Sequence, residues 1–173
     1  MFNIHEVVMH NTLGICEVQG IEHRSVVGRP TKEYYILHSL YDEDNTAFVP
    51  VEGCERLMRF PMQKTEIFEL IEEMPNLCSK WIDETRARKD SYTQTIREGN
   101  PHKLVAMIRS LYLKDEERKK IGKRINDADA RQQAQAIKIL HQEMAYGLGI
   151  GVDEVPDAIH DFLEQSQKKV AES

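Results

Sequence analysis

This chain of 173 residues lacks the features that would place it in a membrane or in a disulfide-rich fold. No apolar run approaches the roughly 18 residues that a membrane-spanning helix needs. The first residues contain no basic segment before an apolar stretch, so a secretory signal is not expected. The three cysteines, Cys16, Cys54 and Cys78, are odd in number and far apart, which favours free thiols in a reducing compartment. We therefore expect a cytoplasmic protein.

The sequence motifs of enzymes and metal centres are also missing. No His-x-x-x-His or Cys-x-x-Cys spacing occurs, so neither a metal nor another cofactor is expected. Segment 147–151 is rich in glycine but follows a helical pattern and lacks the Lys-Ser/Thr of a phosphate-binding loop, so a helix cap is favoured over a nucleotide site. A Cys–His pair that meets only in space stays open. No spacing supports an enzyme.

Acidic and basic residues are concentrated in different segments of the chain. Residues 1–75 carry 6 Lys and Arg against 13 Asp and Glu, a balance of −7, and residues 149–173 carry 2 against 6. Residues 76–148 carry 15 against 10, a balance of +5, although the whole chain is at −6. A basic, helix-patterned segment is the usual electrostatic footprint of phosphate binding. The acidic ends and the basic middle therefore indicate two surfaces for different partners, as in an adaptor.

The first sixty residues alternate apolar and polar side chains as half-buried strands do. The aromatic and β-branched segment 33–40 is the strongest strand, and 46–51 returns beside it after a polar loop. Pro50 has no backbone donor, so we expect it at the edge or end of its strand. A turn is expected over 26–30. This half is therefore predicted to be a small twisted antiparallel sheet or partly open barrel.

From residue 61 onward the apolar positions repeat with helical spacing. A short helix is expected at 65–71, a long polar helix at 79–98, and further helices after Pro101, Asn126 and Asp153. Each has one apolar stripe, so we expect a bundle of four to five helices, separate from the sheet. The fold class is thus α+β with two domains: sheet domain 1–60, connecting helix or linker 61–76, helical domain 77–166 and flexible tail 167–173.

Trp81 is the only tryptophan, and it lies where the chain enters the basic segment. It has two interpretations: a large aromatic packed in the core, or an exposed wedge that stacks on bases while neighbouring cations hold phosphates. The cations that would hold the phosphates are Arg86, Arg88, Lys89, Lys123 and Arg124.

The ordered set of these features resembles one protein family. It includes Phe2, Val8, Gly14, the segments 33–37 and 49–51, the Ile96-x-x-Gly99-Asn100 and Ile108-Arg109-x-Leu111 motifs, and Leu140-x-x-Glu143-Met144-Ala145. Their order and spacing resemble the CarD/CdnL family of bacterial transcription regulators, from Phe2 to about Leu163.

The resemblance implies a concrete function. Family members bind the RNA polymerase β subunit through an N-terminal Tudor-like domain, largely by an edge strand. Their helical domain contacts promoter DNA at the upstream edge of the bubble, where a Trp wedges into the minor groove and stabilises the open complex. By position, the polymerase-binding residues are Arg24, Thr46, Ala47, Phe48 and Val49, and the wedge is Trp81.

One alternative remains. The helical half could dock another protein without touching DNA, which would fit Lys and Arg side chains scattered around the helices rather than gathered on one surface.

Overall fold

A computed structural model of the chain describes residues 1–25 and 30–171. Most of the turn expected over 26–30 lies outside these residues. An antiparallel sheet comes first and five helices follow, which confirms the α+β class. The strands are β1 (Val7–His10), β2 (Gly14–Arg24), β3 (Lys32–Ser39), β4 (Thr46–Pro50) and β5 (Met58–Arg59). The helices are α1 (Lys64–Glu73), α2 (Thr85–Glu98), α3 (Pro101–Lys119), α4 (Asp127–Leu148) and α5 (Val155–Ala171).

The sheet has the strand order β4-β3-β2-β1-β5, and every neighbouring pair is antiparallel. Alternation buries one face of β3, where Tyr35 and Leu37 are fully covered. Val49 on β4 lies opposite Tyr35 and joins the same apolar cluster. Pro50 ends β4, as its missing donor predicts.

Several helix ends follow from the local sequence. Asn126 caps α4 by accepting from the backbone N–H of Asp129, and Asn100 caps α3, which begins with Pro101. Gly149 ends α4 with φ of 70°, so the glycine-rich segment is a helix cap, as favoured from the sequence. Within the described residues, no helix is both long and apolar enough to cross a bilayer.

The long helix expected over 79–98 is six residues shorter. It begins at Thr85, because the Glu84 carboxylate accepts from the N–H groups of Arg86 and Ala87 and caps the helix there. Trp81 therefore lies on an extended segment before the helix and not on a helix face. At the other end of the chain, α5 runs as far as Ala171, past the expected start of a loose tail at 167.

The sheet domain and the helical domain share apolar packing. Met9 on β1 and Ile15 on β2 are fully buried in a cluster whose other members come from α2, α3 and α4. The segment expected to be a connecting helix or linker contains the helix α1, whose Ile67, Leu70 and Ile71 pack in the core against α4 and α5. Shared apolar burial of this kind packs the two domains of the α+β layout against each other.

Candidate functional site

The first candidate surface lies at one edge of the sheet. Among the residues that the structure describes, β4 pairs with β3 alone, so the other side of β4 is free. A free strand edge presents unpaired backbone N–H and C=O groups to another chain. We call this surface the edge surface and define it as Arg24 and residues 46–50.

Two side chains of the edge surface meet on its outer face. The guanidinium carbon of Arg24 lies 3.4 Å from the centroid of the Phe48 ring, and Phe48 keeps 40% of its surface exposed. The Arg24 Nε atom also lies 3.3 Å from the Glu22 carboxylate. A cation over an aromatic face is attracted by the ring quadrupole, so the two side chains hold each other in place. The structure thus brings together two residues that sequence reasoning assigned to one surface.

The other edge residues divide between the two faces of the strand. Thr46 is exposed, whereas Val49 is buried in the sheet core and Ala47 packs partly against it. Because successive side chains of a strand point to opposite faces, Val49 can offer a partner its backbone groups but not its side chain.

The second candidate surface surrounds Trp81 at one end of the bundle. The ring is half-buried against the cluster that joins sheet and helices. The Arg88 guanidinium carbon lies 4.4 Å from the ring centroid, and the Lys114 ammonium lies 5.3 Å from it. Part of the Trp81 ring therefore packs against the core, and the rest is exposed to solvent near these two side chains.

Hydrogen bonds fix the extended segment that carries Trp81. Before the Trp, the Ser79 N–H donates to Ser110 Oγ at 2.9 Å, and Ser110 Oγ donates to the Ser79 carbonyl at 2.8 Å. After it, Arg88 Nη1 donates to the carbonyls of Ile82 and Asp83 at 2.7 and 3.1 Å. The bonds with Ser110 and Arg88 replace the helical hydrogen bonds that the local sequence predicts for this segment.

Arg88 requires a correction. It was expected to hold a phosphate, but it is only 3% exposed and its Nη2 atom lies 2.9 Å from Asp129 Oδ2. Asp129 in turn accepts from the Asn126 side chain at 2.9 Å. A buried guanidinium that donates to a carboxylate and to two backbone carbonyls is not available to DNA, so Arg88 is a structural residue that ties α2 to α4.

The ion pair between Arg88 and Asp129 also determines where the other cations lie. It joins the first turns of α2 and α4, and so brings Arg86 and Lys89 to the end of the bundle where Lys123 and Arg124 precede α4. We call this end the basic surface and define it as Trp81, Arg86, Lys89, Lys114 and residues 120–124. In the described part of the chain, its exposed cations without a carboxylate within 4.0 Å are Arg86, Lys89, Lys120, Lys123 and Arg124.

Acidic side chains neutralise some neighbouring cations. Lys114 pairs with Glu117, and Lys119 pairs with both Asp115 and Glu116. These contacts lower the pKa of the Asp115 and Glu117 carboxyls, each through the hydrogen bond from its lysine first. The positive field is therefore concentrated in the turn after α3 and the first turns of α2.

A third group of residues, for which the sequence gives no signal, joins the sheet to the bundle. Glu143 on α4 is 1% exposed, accepts from Arg59 Nη2 at 2.8 Å and accepts from the Met62 N–H at 2.8 Å. Asn11 Nδ2 donates to the carbonyls of Arg56 and Arg97, one from each half. Buried and paired groups of this kind set the orientation of the bundle against the sheet. Asn11 and Arg97 are 86 residues apart in the sequence, and Arg59 and Glu143 are 84 apart, so local patterns do not predict these contacts.

The described residues also include side chains of the types that bind metals or act as nucleophiles. Within residues 1–25 and 30–171, no group of three His, Cys, Asp or Glu side chains could hold a metal. Cys16 and Cys54 are buried, and burial raises the pKa of the Cys16 thiol to about 12, which disfavours a reactive thiolate.

Residues 2–61 match the family model of the CarD-like/TRCF RID domain, a family of RNA polymerase-interacting domains. A comparison with curated proteins finds no match. The matched segment is about a third of the chain and ends two residues after β5, so it covers the sheet and its edge surface. Residues 2–61 are therefore similar to the CarD-like/TRCF RID domains, which are a family of interaction domains.

Proposed function

We propose that this protein is a transcription regulator that binds the β subunit of RNA polymerase through the edge surface and promoter DNA through the basic surface. Bound in this way, it stabilises the open promoter complex at the upstream edge of the bubble. The observation that carries the proposal is the free β4 edge, with Arg24 over Phe48, inside a domain of the RNA polymerase-interacting type.

Strand addition explains how the edge surface binds. An extended segment of the β subunit extends the sheet beyond β4, and its backbone satisfies the free N–H and C=O groups of residues 46–50. Backbone pairing gives affinity with little side-chain specificity. Phe48 and Arg24 supply the specificity, because they stand on the outer face beside that edge.

The basic surface acts on DNA without covalent chemistry. Arg86, Lys89, Lys123 and Arg124 hold phosphates, and the exposed part of the Trp81 ring stacks at the opened fork. Such a wedge binds separated strands better than a closed duplex, so it shifts the equilibrium towards the open complex. Contacts to phosphates carry no sequence information, which fits an effect at many promoters.

Shared packing between sheet and bundle supports joint action of the two surfaces. The buried Glu143 carboxylate and the apolar cluster around Met9 and Ile15 fix the bundle against the sheet. Once the sheet binds polymerase, the basic surface is held at a defined position and loses little further entropy on meeting DNA.

The second candidate is a polymerase-bound adaptor whose helical half docks another protein. The observation in its favour is that Arg88 is buried and that Lys114 and Lys119 are paired with acids, which reduces the free cations available to DNA.

Salt dependence of DNA binding separates the two candidates. Anisotropy of a labelled promoter fork is measured against salt for the wild type and for Lys123→Ala/Arg124→Ala. DNA binding predicts a linear fall of log affinity with log salt, with a slope reduced by about two in the variant, since each phosphate contact contributes about 0.9. Lys64→Ala/Lys168→Ala, which removes two exposed cations elsewhere, is the matched control and keeps the slope. Salt-independent binding, or equal slopes for all three proteins, would favour the adaptor.

A further inference from the structure

The turn between α3 and α4 exposes an isoleucine between cations. Its sequence is Lys119-Lys120-Ile121-Gly122-Lys123-Arg124, and Ile121 is 69% exposed. Among the large apolar side chains that the structure describes, only Met1 is more exposed. The nearby Ile125 behaves differently, because it packs partly against the core. An aliphatic side chain left in water at the tip of a turn gains free energy when a partner covers it.

Hydrogen bonds hold the backbone of this turn in a defined conformation. The Ile121 and Lys123 N–H groups both donate to the Arg118 carbonyl, at 3.1 and 2.9 Å. Arg118 Nη1 closes the turn from the other side by donating to the Arg124 carbonyl at 3.2 Å. Gly122 adopts φ of 70°, a conformation that glycine takes without strain. Ile121 is therefore held outward at a fixed tip.

Charge identifies the class of partner. Lys120, Lys123 and Arg124 flank Ile121, are exposed and have no carboxylate within 4.0 Å among the described residues. Three free cations around one apolar tip suit a polyanion that also offers an apolar slot. The stacked base pairs of a DNA minor groove have this chemistry, since one aliphatic side chain can enter one base step while phosphates lie on either side. A membrane surface fits less well, because a single aliphatic side chain anchors a protein only weakly in lipid.

The tip lies near Trp81. The Ile125 N–H that follows the turn donates to Asp115 at 3.1 Å, and Lys114, the residue before Asp115, approaches the Trp81 ring. The turn and Trp81 therefore belong to the same end of the bundle.

We propose that Ile121 is a minor-groove wedge that inserts at a base step while Lys120, Lys123 and Arg124 hold the adjacent phosphates, beside the contact made by Trp81. This inference rests on the proposed function, because it assigns a second inserting residue to the same DNA-binding surface.

The test uses the full chain and a promoter fork in which 2-aminopurine, a base whose fluorescence rises on unstacking, replaces adenines near the fork. Affinity and fluorescence are measured together for the wild type, Ile121→Ala, Ile121→Leu and Leu113→Ala. Leu113 is an exposed aliphatic residue on α3 outside the turn and serves as the matched control. We expect Ile121→Ala to bind about tenfold more weakly and to lose the fluorescence rise at one step, with the salt slope unchanged. Ile121→Leu and Leu113→Ala keep the signal.

The contrary outcomes are distinct. If Ile121→Ala matches the wild type in affinity and fluorescence while Lys123→Ala/Arg124→Ala binds weakly, the wedge is refuted and the DNA-binding function stands. If the wild type binds no DNA, the proposed function fails and the wedge fails with it. If the wild type binds phosphatidylglycerol vesicles through Ile121 and the DNA signals do not depend on this residue, the partner is a lipid surface and the inference is wrong.

Discussion

The guanidinium of Arg24 covers the ring of Phe48, with 3.4 Å between the guanidinium carbon and the ring centroid, although the two residues lie on β2 and β4 with β3 between them. This contact spans the outer face of the sheet next to its free edge. It links the end of β2 to the strand that is available for pairing, so both side chains present one surface to a partner.

The first prediction concerns this contact. Phe48→Ala is expected to weaken binding to the isolated β subunit by at least tenfold, because the proposed function makes this exposed ring an aromatic contact to the partner. In a double-mutant cycle on the folding stability of the free protein, Arg24→Ala and Phe48→Ala should couple by about 0.5–1 kcal/mol. Phe60→Ala, which alters an exposed aromatic beyond β5, is the control and should leave β-subunit binding unchanged. Equal losses at positions 48 and 60 would mean that β4 is not the bound edge.

The second prediction concerns the buried ion pair between sheet and bundle. Arg59→Ala leaves the Glu143 carboxylate buried without its cation, so it should lower the free energy of unfolding by about 3–5 kcal/mol. Glu143→Ala should cost less, since the Arg59 side chain is 32% exposed and can reach water. Urea titration measures both. Glu98→Ala, in the exposed pair with Lys103, provides the comparison and should cost at most about 1 kcal/mol. A smaller loss for Arg59→Ala than for Glu98→Ala would contradict the assigned role.

The third prediction separates Arg88 from its neighbour. Arg88→Ala removes the cation from buried Asp129 and releases the carbonyls of Ile82 and Asp83, so the protein should be less stable and the Trp81 segment freer. Because Trp81 is the only tryptophan, its emission should shift to the red in this variant. Lys89→Ala, at an exposed position one residue away, should change neither stability nor emission but should weaken DNA binding. If Arg88→Ala and Lys89→Ala had the same stability, emission and DNA affinity, the separate roles assigned to Arg88 and Lys89 would be wrong.

The fourth prediction concerns pH. Burial lowers the pKa of His10 and of His141 below the usual 6.5. The unfolded chain therefore binds more protons than the folded one just below pH 6.5, and stability falls as pH drops through that window. His10 Nδ1 also accepts from the Leu13 N–H, which protonation would prevent. The urea concentration at the midpoint of unfolding should therefore be lower at about pH 5.5 than at about pH 7.5.

Substitution identifies the source of that fall. In His10→Asn/His141→Asn, most of the pH dependence in this window should vanish. His160→Asn, on the exposed side of α5, should retain it. A wild-type protein of constant stability across the window would show that neither buried histidine contributes.

The sequence predicts the sheet well because its strands are specified locally. Alternation over 33–40 and the missing donor of Pro50 are properties of neighbouring residues, and they place β3 and the end of β4 correctly. The helix starts at Pro101 and Asn126 are local in the same sense.

The basic surface is less predictable, because similar residues have different surroundings in the fold. Arg86, Arg88 and Lys89 are equivalent as sequence, yet only Arg88 faces Asp129, a residue 41 positions away. Hydrogen bonds with Ser110 and Arg88 keep residues 79–84 extended where propensity favours a helix. Burial of Arg88 and the shared core of the two halves thus depend on tertiary contacts that no local pattern encodes.

The central claim is that the protein holds the promoter open, and the lifetime of open complexes challenged with competitor tests it most directly. Complexes of RNA polymerase are formed with no addition, with the wild type, with Phe48→Ala and with Trp81→Ala. The account predicts a longer lifetime with the wild type and little lengthening with Phe48→Ala, which binds polymerase more weakly. With Trp81→Ala, which still binds polymerase, the lifetime should be clearly shorter than with the wild type. An unchanged lifetime with wild-type protein that is shown to be bound would contradict it.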